Sequence, residues 1–295
     1  MLFSPGCAPH ATPENPTLPN PPTFTWPATG EAGDSMRATV VGGLERTYLL
    51  HVPPGTGAAS PLPLVLVFHG HRMNPESMVV TTGFNAVADS ERFLVAYPFG
   101  TGAAEALSFN GGLCCGSAVH NNVDEAAFVR RILDDLETDF PIDPARIYAA
   151  GFSNGAILAY RLGCEMSEVL AAIAPVDGYL MFSPCRPREK VSLLHVQGRS
   201  DASAPYDDSD LEPDTDPSIL SVTGSVAFWA AFDGCAEFPY EAQSGIVTHL
   251  SYSACAGGTA VELYSLKGIG HTWPPESLWP ATKIVWDFFA AHPKL

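Results

Sequence analysis

Positive charge is scarce in this sequence: Lys and Arg number 15 against 32 Asp and Glu, for a formal net charge of −17. A polyanion would be repelled, and no local basic cluster offers an exception, so nucleic-acid partners are excluded. The acidity itself is read as solubility rather than as recognition of a cationic substrate. Long apolar runs are missing too. No stretch approaches the roughly 18 consecutive apolar residues that crossing a bilayer requires, which excludes a transmembrane segment. The first residues show no charged start followed by a long apolar run, so a complete signal peptide is absent; the expectation is that a leader was trimmed or the start assigned late. Cys-x-x-Cys does not occur and no His pair supports a thiolate set, so no metal site is expected. Internal repeats are absent as well.

What is present is a chain of 295 residues, 46% hydrophobic and only 16% charged, enough for one large domain with a sizeable core. Residues 1–35 are rich in Pro, Thr, Asn and Gly and read as a linker or wrapping arm, leaving 36–295 as the folded domain. Within the arm, "LFSPGC" resembles the end of a lipoprotein signal, which makes Cys7 a candidate lipid anchor.

From "RATVVGGLERTYLLHVP", a hairpin with Gly42-Gly43 at its turn, strands and helices alternate. Buried strands are expected at 62–70, 93–100, 146–152, 171–178, 191–198 and 261–268. Helices are expected from Glu76 to Ser90, at 123–140, directly after 152, near 219–232 and at 282–292. The clearest helix is "VDEAAFVRRILDDLETDF", with Ala126, Phe128, Val129, Ile132, Leu133 and Leu136 at helical spacing and Asn122 as its cap, three residues before Glu125. This alternation implies an α/β fold with a mostly parallel sheet and helices on both faces.

One stretch carries chemistry. Gly151-Phe152-Ser153-Asn154-Gly155 fits G-x-S-x-G and falls where a buried strand gives way to a helix. A nucleophile elbow requires that placement, which lifts the hydroxyl above the sheet edge beside helix amides. A serine hydroxyl needs a base, and the base needs an acid. Asp201 follows the strand "VSLLHVQG" and His271 follows "VELYSLKG", so Ser153, Asp201 and His271 each stand just past a strand, in the chain order of the α/β-hydrolase triad. The oxyanion donors are expected at the amides of Asn154 and of His71, in the loop after "VFHG". Asp177 follows the wrong strand for the acid, and Asp207 and Asp208 lie farther into the loop. His69 and His195 fall inside strands and read as core or supporting residues.

Five segments together resemble a known family: "VLVFHGH", "FNGGLCCGSAVHNNVDEAAFVRRILDDL", "IDPARIYAAGFSNGAILAYRLGC", "LLHVQGRSDASAPY" and "GIGHTWP". The chain is similar, over roughly residues 37 to 292, to esterases of the poly(3-hydroxybutyrate) depolymerase-like group, which overlaps carbohydrate esterase family 1 and its feruloyl esterases. The resemblance implies an α/β-hydrolase fold, carboxylic ester substrates, and Ser153, Asp201 and His271 as nucleophile, acid and base. The family often has "HGTAD" where this chain has "QGRSD", and "GGGHTWPG" where it has "GIGHTWPP"; neither change removes a catalytic atom.

Six cysteines lie inside the domain: Cys114, Cys115, Cys164, Cys185, Cys235 and Cys255. An even set suggests disulfides and an oxidising compartment. Cys235 pairs with Cys255 across a turn-rich insert in this reading, and Cys114 and Cys115 pair with Cys164 and Cys185 in an order left open. Trp273, just past His271, is expected to meet the substrate, whereas Tyr179 and Phe109 are read as packing residues. The expected function is a secreted or cell-surface serine esterase without a cofactor, forming an acyl-enzyme on a polymer-attached ester, in the first instance a feruloyl or acetyl ester of plant polysaccharide. Hydrolysis of a polyhydroxyalkanoate or similar polyester is the alternative among enzymes. A catalytically inactive polymer-binding protein on the same fold is the alternative from another class.

Overall fold

The computed structural model describes residues 32–56 and 60–295. Strands β1 (Gly33–Val41) and β2 (Leu44–Val52) form an antiparallel hairpin in which Val41 faces Leu44. Gly42 and Gly43 fill its two turn positions at φ of 59° and 83°, the left-handed region that a two-residue hairpin turn demands. The chain continues through β3 (Leu62–Phe68), α1 (Pro75–Thr82), α2 (Phe84–Glu91), β4 (Leu94–Pro98), α3 (Gly116–His120) and α4 (Glu125–Asp139). Next come β5 (Ile142–Phe152), α5 (Asn154–Glu165), β6 (Ala172–Val176), β7 (Ser192–Gly198) and α6 (Val222–Asp233). Then follow β8 (Tyr240–Ser244), β9 (Val247–Tyr252), β10 (Val261–Leu266) and α7 (Ala281–Ala291).

The strands make one sheet in the order β1-β2-β4-β3-β5-β6-β7-β10-β9-β8. From β4 to β10 every neighbouring pair is parallel, and an antiparallel hairpin flanks this block at each edge. Successive side chains of a strand alternate faces, so each central strand feeds two cores. Leu64 and Leu66 of β3 pack with Phe128, Ile132, Leu158 and Trp229 beneath α4, α5 and α6. Val65 and Val67 pack on the other face with Phe84, Trp286 and Phe289 of α2 and α7. Burial on both faces explains why β3, β4 and β6 read as continuous apolar runs rather than alternating ones. This is the α/β-hydrolase fold.

Several local expectations are corrected. The helix expected from Glu76 to Ser90 is two helices, parted at Gly83, whose φ of 65° ends α1. Asn122 does not cap α4: Asp124 does, accepting from the Ala127 amide at 2.8 Å. Glu125 is thereby free to turn inward, where it is 1% exposed and accepts from Arg46 at 2.9 Å and from the Asn110 amide at 3.0 Å. Residues 33–35, expected in the arm, already belong to β1; residues 1–31, Cys7 among them, lie outside the described residues. The insert between Cys235 and Cys255 contains the β8–β9 hairpin, which extends the sheet. Cys235–Cys255 is a disulfide as expected, but Cys114 and Cys115 bond to each other and Cys164 bonds to Cys185. The pairing of neighbours removes the need for any partner from α5 or the loop before β7. Among the described residues no helix is long and apolar enough to cross a membrane.

Candidate active site

Ser153 joins β5 to α5 with φ 55° and ψ −118°, a left-handed φ that a residue with a side chain adopts only when its surroundings hold it there. Those surroundings are unusually close. A Cβ on Gly151 would lie 2.2 Å from the Gly155 carbonyl oxygen, and one on Gly155 would lie 2.2 Å from that of Phe68. Only glycine permits this approach of helix, turn and strand, so both glycines of the pentapeptide are structural requirements of the elbow. The Ser153 amide is tied to the Val176 carbonyl at 2.9 Å, which fixes the turn against the end of β6.

The structure brings the three residues singled out by chain order together. His271 Nε2 lies 2.8 Å from Ser153 Oγ, and His271 Nδ1 lies 2.8 Å from Asp201 Oδ2. Parallel pairing of β7 with β10 explains the meeting, because both loops leave the same edge of the sheet in register, with Gly198 opposite Leu266. Asp201 is saturated with donors: the Ser203 amide at 2.8 Å and the Ser203 hydroxyl at 2.5 Å reach Oδ1, while Gln197 Nε2 at 3.1 Å joins His271 at Oδ2. Burial opposes the charge on Asp201, but the bonds from His271 and Ser203 outweigh it and hold the carboxyl below its usual range. At His271 burial likewise opposes charge, and the bond and negative charge of Asp201, with that of Asp177, lift the imidazole above its ordinary value. An imidazole so placed can take a proton from the serine and keep it in an ion pair.

Asp177, set aside on strand order, proves to be part of this cluster. It is 2% exposed and accepts the Gly198 amide at 2.8 Å and the Thr272 amide at 2.7 Å. One buried carboxyl therefore pins the loop of Asp201 and the loop of His271. Burial, aided by the neighbouring charge of Asp201, pushes it up to about 7 against these two amide bonds and the attraction of His271. Oxygen and nitrogen atoms of Asp177, Asp201 and His271 lie within 4.8 Å of one another, a spacing a metal ion could use. Each of these atoms already holds a partner in Gly198, Thr272, Ser153 or another member of the set, so a metal would have to displace hydrogen bonds there.

His71 lies in the turn after β3, and a Cβ on its neighbour Gly70 would approach Ser153 Cβ at 3.3 Å, so this loop borders the elbow. Asn154 opens α5, and its amide is among those a helix leaves without an internal partner. Its side chain, 1% exposed, grips the 109–115 loop: Oδ1 accepts from the Phe109 amide at 2.7 Å, and Nδ2 donates to the Phe109 and Cys114 carbonyls at 3.0 and 3.4 Å. His69 is fully buried and holds the same region, accepting from the Gly100 amide at 2.9 Å through Nε2 and donating to the Gly70 carbonyl through Nδ1 at 2.7 Å. Asp207 and Asp208 serve their own turns, Asp207 by accepting from the Ser209 amide and Asp208 from the Ser221 hydroxyl.

Trp273 requires a correction. It was expected beside the substrate, yet it is 3% exposed, its ring meets Phe84 edge-on at 5.9 Å, and its Nε1 donates to Thr282 Oγ1 at 3.0 Å. Thr282 Oγ1 in turn donates to the Thr82 carbonyl at 2.5 Å. The ring belongs to the core that joins α1, α2 and α7, and it braces the His271 loop from behind. Phe109 is fully buried, as expected of a packing residue.

The model of the esterase PHB depolymerase family matches residues 46–220, which include Ser153 and Asp201. NocK of Nocardia uniformis subsp. tsuyamanensis, named as an esterase, is 31% identical over 265 residues, covering 83% of this chain and 75% of its own. Feruloyl esterase B of Piromyces equi is 26% identical over 254 residues, covering 82% of this chain but only 44% of that longer protein. Among solved structures, the acetyl xylan esterase from Aspergillus awamori superposes with a TM-score of 0.64 at 12% identity, covering 87% of this chain and 99% of that one, a likeness of fold.

Proposed function

The chain belongs to the esterase PHB depolymerase family, and on that footing we propose that it is a secreted serine esterase in which Ser153 is the nucleophile, His271 the base and Asp201 the acid. The observation that carries this reading is the unbroken series of 2.8 Å contacts from Asp201 through His271 to Ser153 at a strained elbow. His271 Nε2 takes the proton as Ser153 Oγ attacks the ester carbonyl. The amides of Asn154 and His71 receive the oxyanion, with the first turn of α5 adding its dipole. His271 then protonates the leaving alcohol, and water activated by the same nitrogen releases the acid from the acyl-enzyme.

Feruloyl or acetyl esters on plant polysaccharide are the proposed substrates. Two things support this: the relative named feruloyl esterase, and the openness of the site, where the His271 side chain keeps 34% of its surface exposed. An ester carried on a polymer can reach such a serine without threading a tunnel. The family's own description favours a second reading, hydrolysis of a polyhydroxyalkanoate. A catalytically inactive binder is the poorer reading, because a dead homologue has no need to keep a base in hydrogen-bond contact with a strained serine. Export is supported by three disulfides, which persist in oxidising compartments. The test is a parallel assay of methyl ferulate, p-nitrophenyl acetate and 3-hydroxybutyrate oligomers with wild type and Ser153→Ala. Ferulate turnover that vanishes in the variant supports the first reading, oligomer turnover the second, and no turnover of any ester the inactive binder.

A further inference from the structure

Behind the triad runs a second file of polar side chains with no exposed member. Tyr160, on α5, and His195, on β7, are fully buried, and Gln197 is 1% exposed. Tyr160 Oη lies 2.7 Å from His195 Nδ1, His195 Nε2 lies 3.2 Å from Gln197 Oε1, and Gln197 Nε2 lies 3.1 Å from Asp201 Oδ2. His195 and Gln197 stand two apart on β7, so they point to the same face, toward α5.

The direction of every bond follows from what each group can do. The Asp201 carboxylate only accepts, so the Gln197 atom facing it is the amide nitrogen. The Gln197 oxygen then faces His195, so Nε2 of that ring carries its hydrogen. Nδ1 is left bare and takes the Tyr160 hydroxyl hydrogen. Burial keeps both outer groups neutral, pulling His195 down to about 4 and raising Tyr160 well above its ordinary value. No other assignment leaves all four groups satisfied. The file also closes a circuit, because Tyr160 lies on the helix that Ser153 opens, seven residues on.

We propose that Gln197, oriented by His195 and Tyr160, is a positioning residue that fixes the Asp201 carboxylate for its bond to His271. The inference rests on the triad reading above. Oδ2 is the oxygen that receives both Gln197 and His271, whereas Ser203 holds only Oδ1. Without Gln197 the carboxylate loses one of its fixed directions, and the bond from Oδ2 to the imidazole is free to lengthen. Buried polar groups need partners in any protein. A role in packing alone, however, gives no reason for Tyr160 to influence Asp201 through two intervening side chains.

The test uses Gln197→Met, Tyr160→Phe and the double variant, with kcat and KM on p-nitrophenyl acetate and the His271 Nδ1 proton followed by NMR. Gln197→Met should lower kcat about tenfold with KM changed less than about twofold, since a hydrogen bond to a charged acceptor is lost. The Nδ1 proton should move upfield as the unfixed carboxylate holds the imidazole less closely. Tyr160→Phe should lower kcat about threefold, and the double variant should be no slower than Gln197→Met, because the link is already cut. Unchanged kcat and an unmoved proton in Gln197→Met, or losses that multiply in the double variant, would overturn the proposal. If Gln197→Met does not fold, Tyr160→Phe decides alone, its kcat and proton either shifting or not after the loss of one oxygen. Ser153→Ala that keeps its activity would instead overturn the triad reading.

Discussion

Trp273→Ala separates a bracing role from a substrate-binding one. The ring is 3% exposed, so nearly all of its surface is buried, on the order of 200 Å² for a tryptophan. At roughly 25 cal/mol per Å² that is about 5 kcal/mol of burial, in line with the ~3–5 kcal/mol measured for aromatic-to-alanine changes in cores. The lost bond to Thr282 adds about 1 kcal/mol. A domain of this size loses roughly 2–4 °C of Tm per kcal/mol, so the variant should melt on the order of 10 °C or more lower. Trp273→Phe, which keeps most of the ring, should lose only a few degrees. Activity should fall too, because the loop that carries His271 loses its backing, and it should fall by the same factor for methyl ferulate and p-nitrophenyl acetate. Thermal melts and the two kcat/KM values measure this directly. A loss confined to the bulky ester, with an unchanged Tm, would refute the packing argument and restore the ring to the substrate.

Ser153→Ala should reduce turnover by about 10⁴-fold or more while the Tm stays within a few degrees, as a turnover assay and thermal melts will show. Asp201→Asn should slow turnover severely, whereas Asp207→Asn, in its own turn, should leave it unchanged; similar losses in both would refute the assignment of the acid. If His271 is the base it must be neutral to act, and its folded value is raised, so kcat/KM should rise with pH through a midpoint above 6.5. Asp201→Asn, by removing the charge that raises it, should move that midpoint down. Glu125→Ala should cost roughly 3–5 kcal/mol by denaturant titration, since it leaves Arg46 buried at 3% exposure without its carboxylate. Thiol counting on unfolded, unreduced protein should find none of the six domain cysteines, and breaking Cys164–Cys185, a loop of 21 residues, should cost about 3 kcal/mol in the chain-entropy model.

What could be read in advance was what depends on short stretches and on strand order. The elbow is a local pattern, and Asp201 and His271 are each the polar residue just beyond a buried strand, so parallel pairing alone brings them to one edge. The place of Asp177 is not legible in the sequence, because it depends on two backbone amides, Gly198 and Thr272, that only the folded sheet sets beside it. Nearness of Trp273 to His271 in the chain says nothing about which way its ring faces. The β8–β9 hairpin is hard to read in the sequence because "YEAQSGIVTHLSY" is exposed or half exposed throughout and has no apolar run. Asn122 and Asp124 are both good caps with similar spacing, and the choice between them turned on Glu125 being needed inside with Arg46. Cys114 and Cys115 were sought in a wider pairing, whereas adjacency already supplied the partner.

The clasp at Thr282, which holds Trp273 on one side and Thr82 on the other, also sets a timetable. The nucleophile and its acid leave the ribosome well before the base. His271 takes its place only where β10 pairs with β7 and α7 brings Thr282 against Trp273. On the triad reading, a nascent chain already exposes its serine yet stays silent toward every ester it meets. On that reading ester hydrolysis awaits the complete fold, because the serine and the imidazole stand 118 residues apart in the chain.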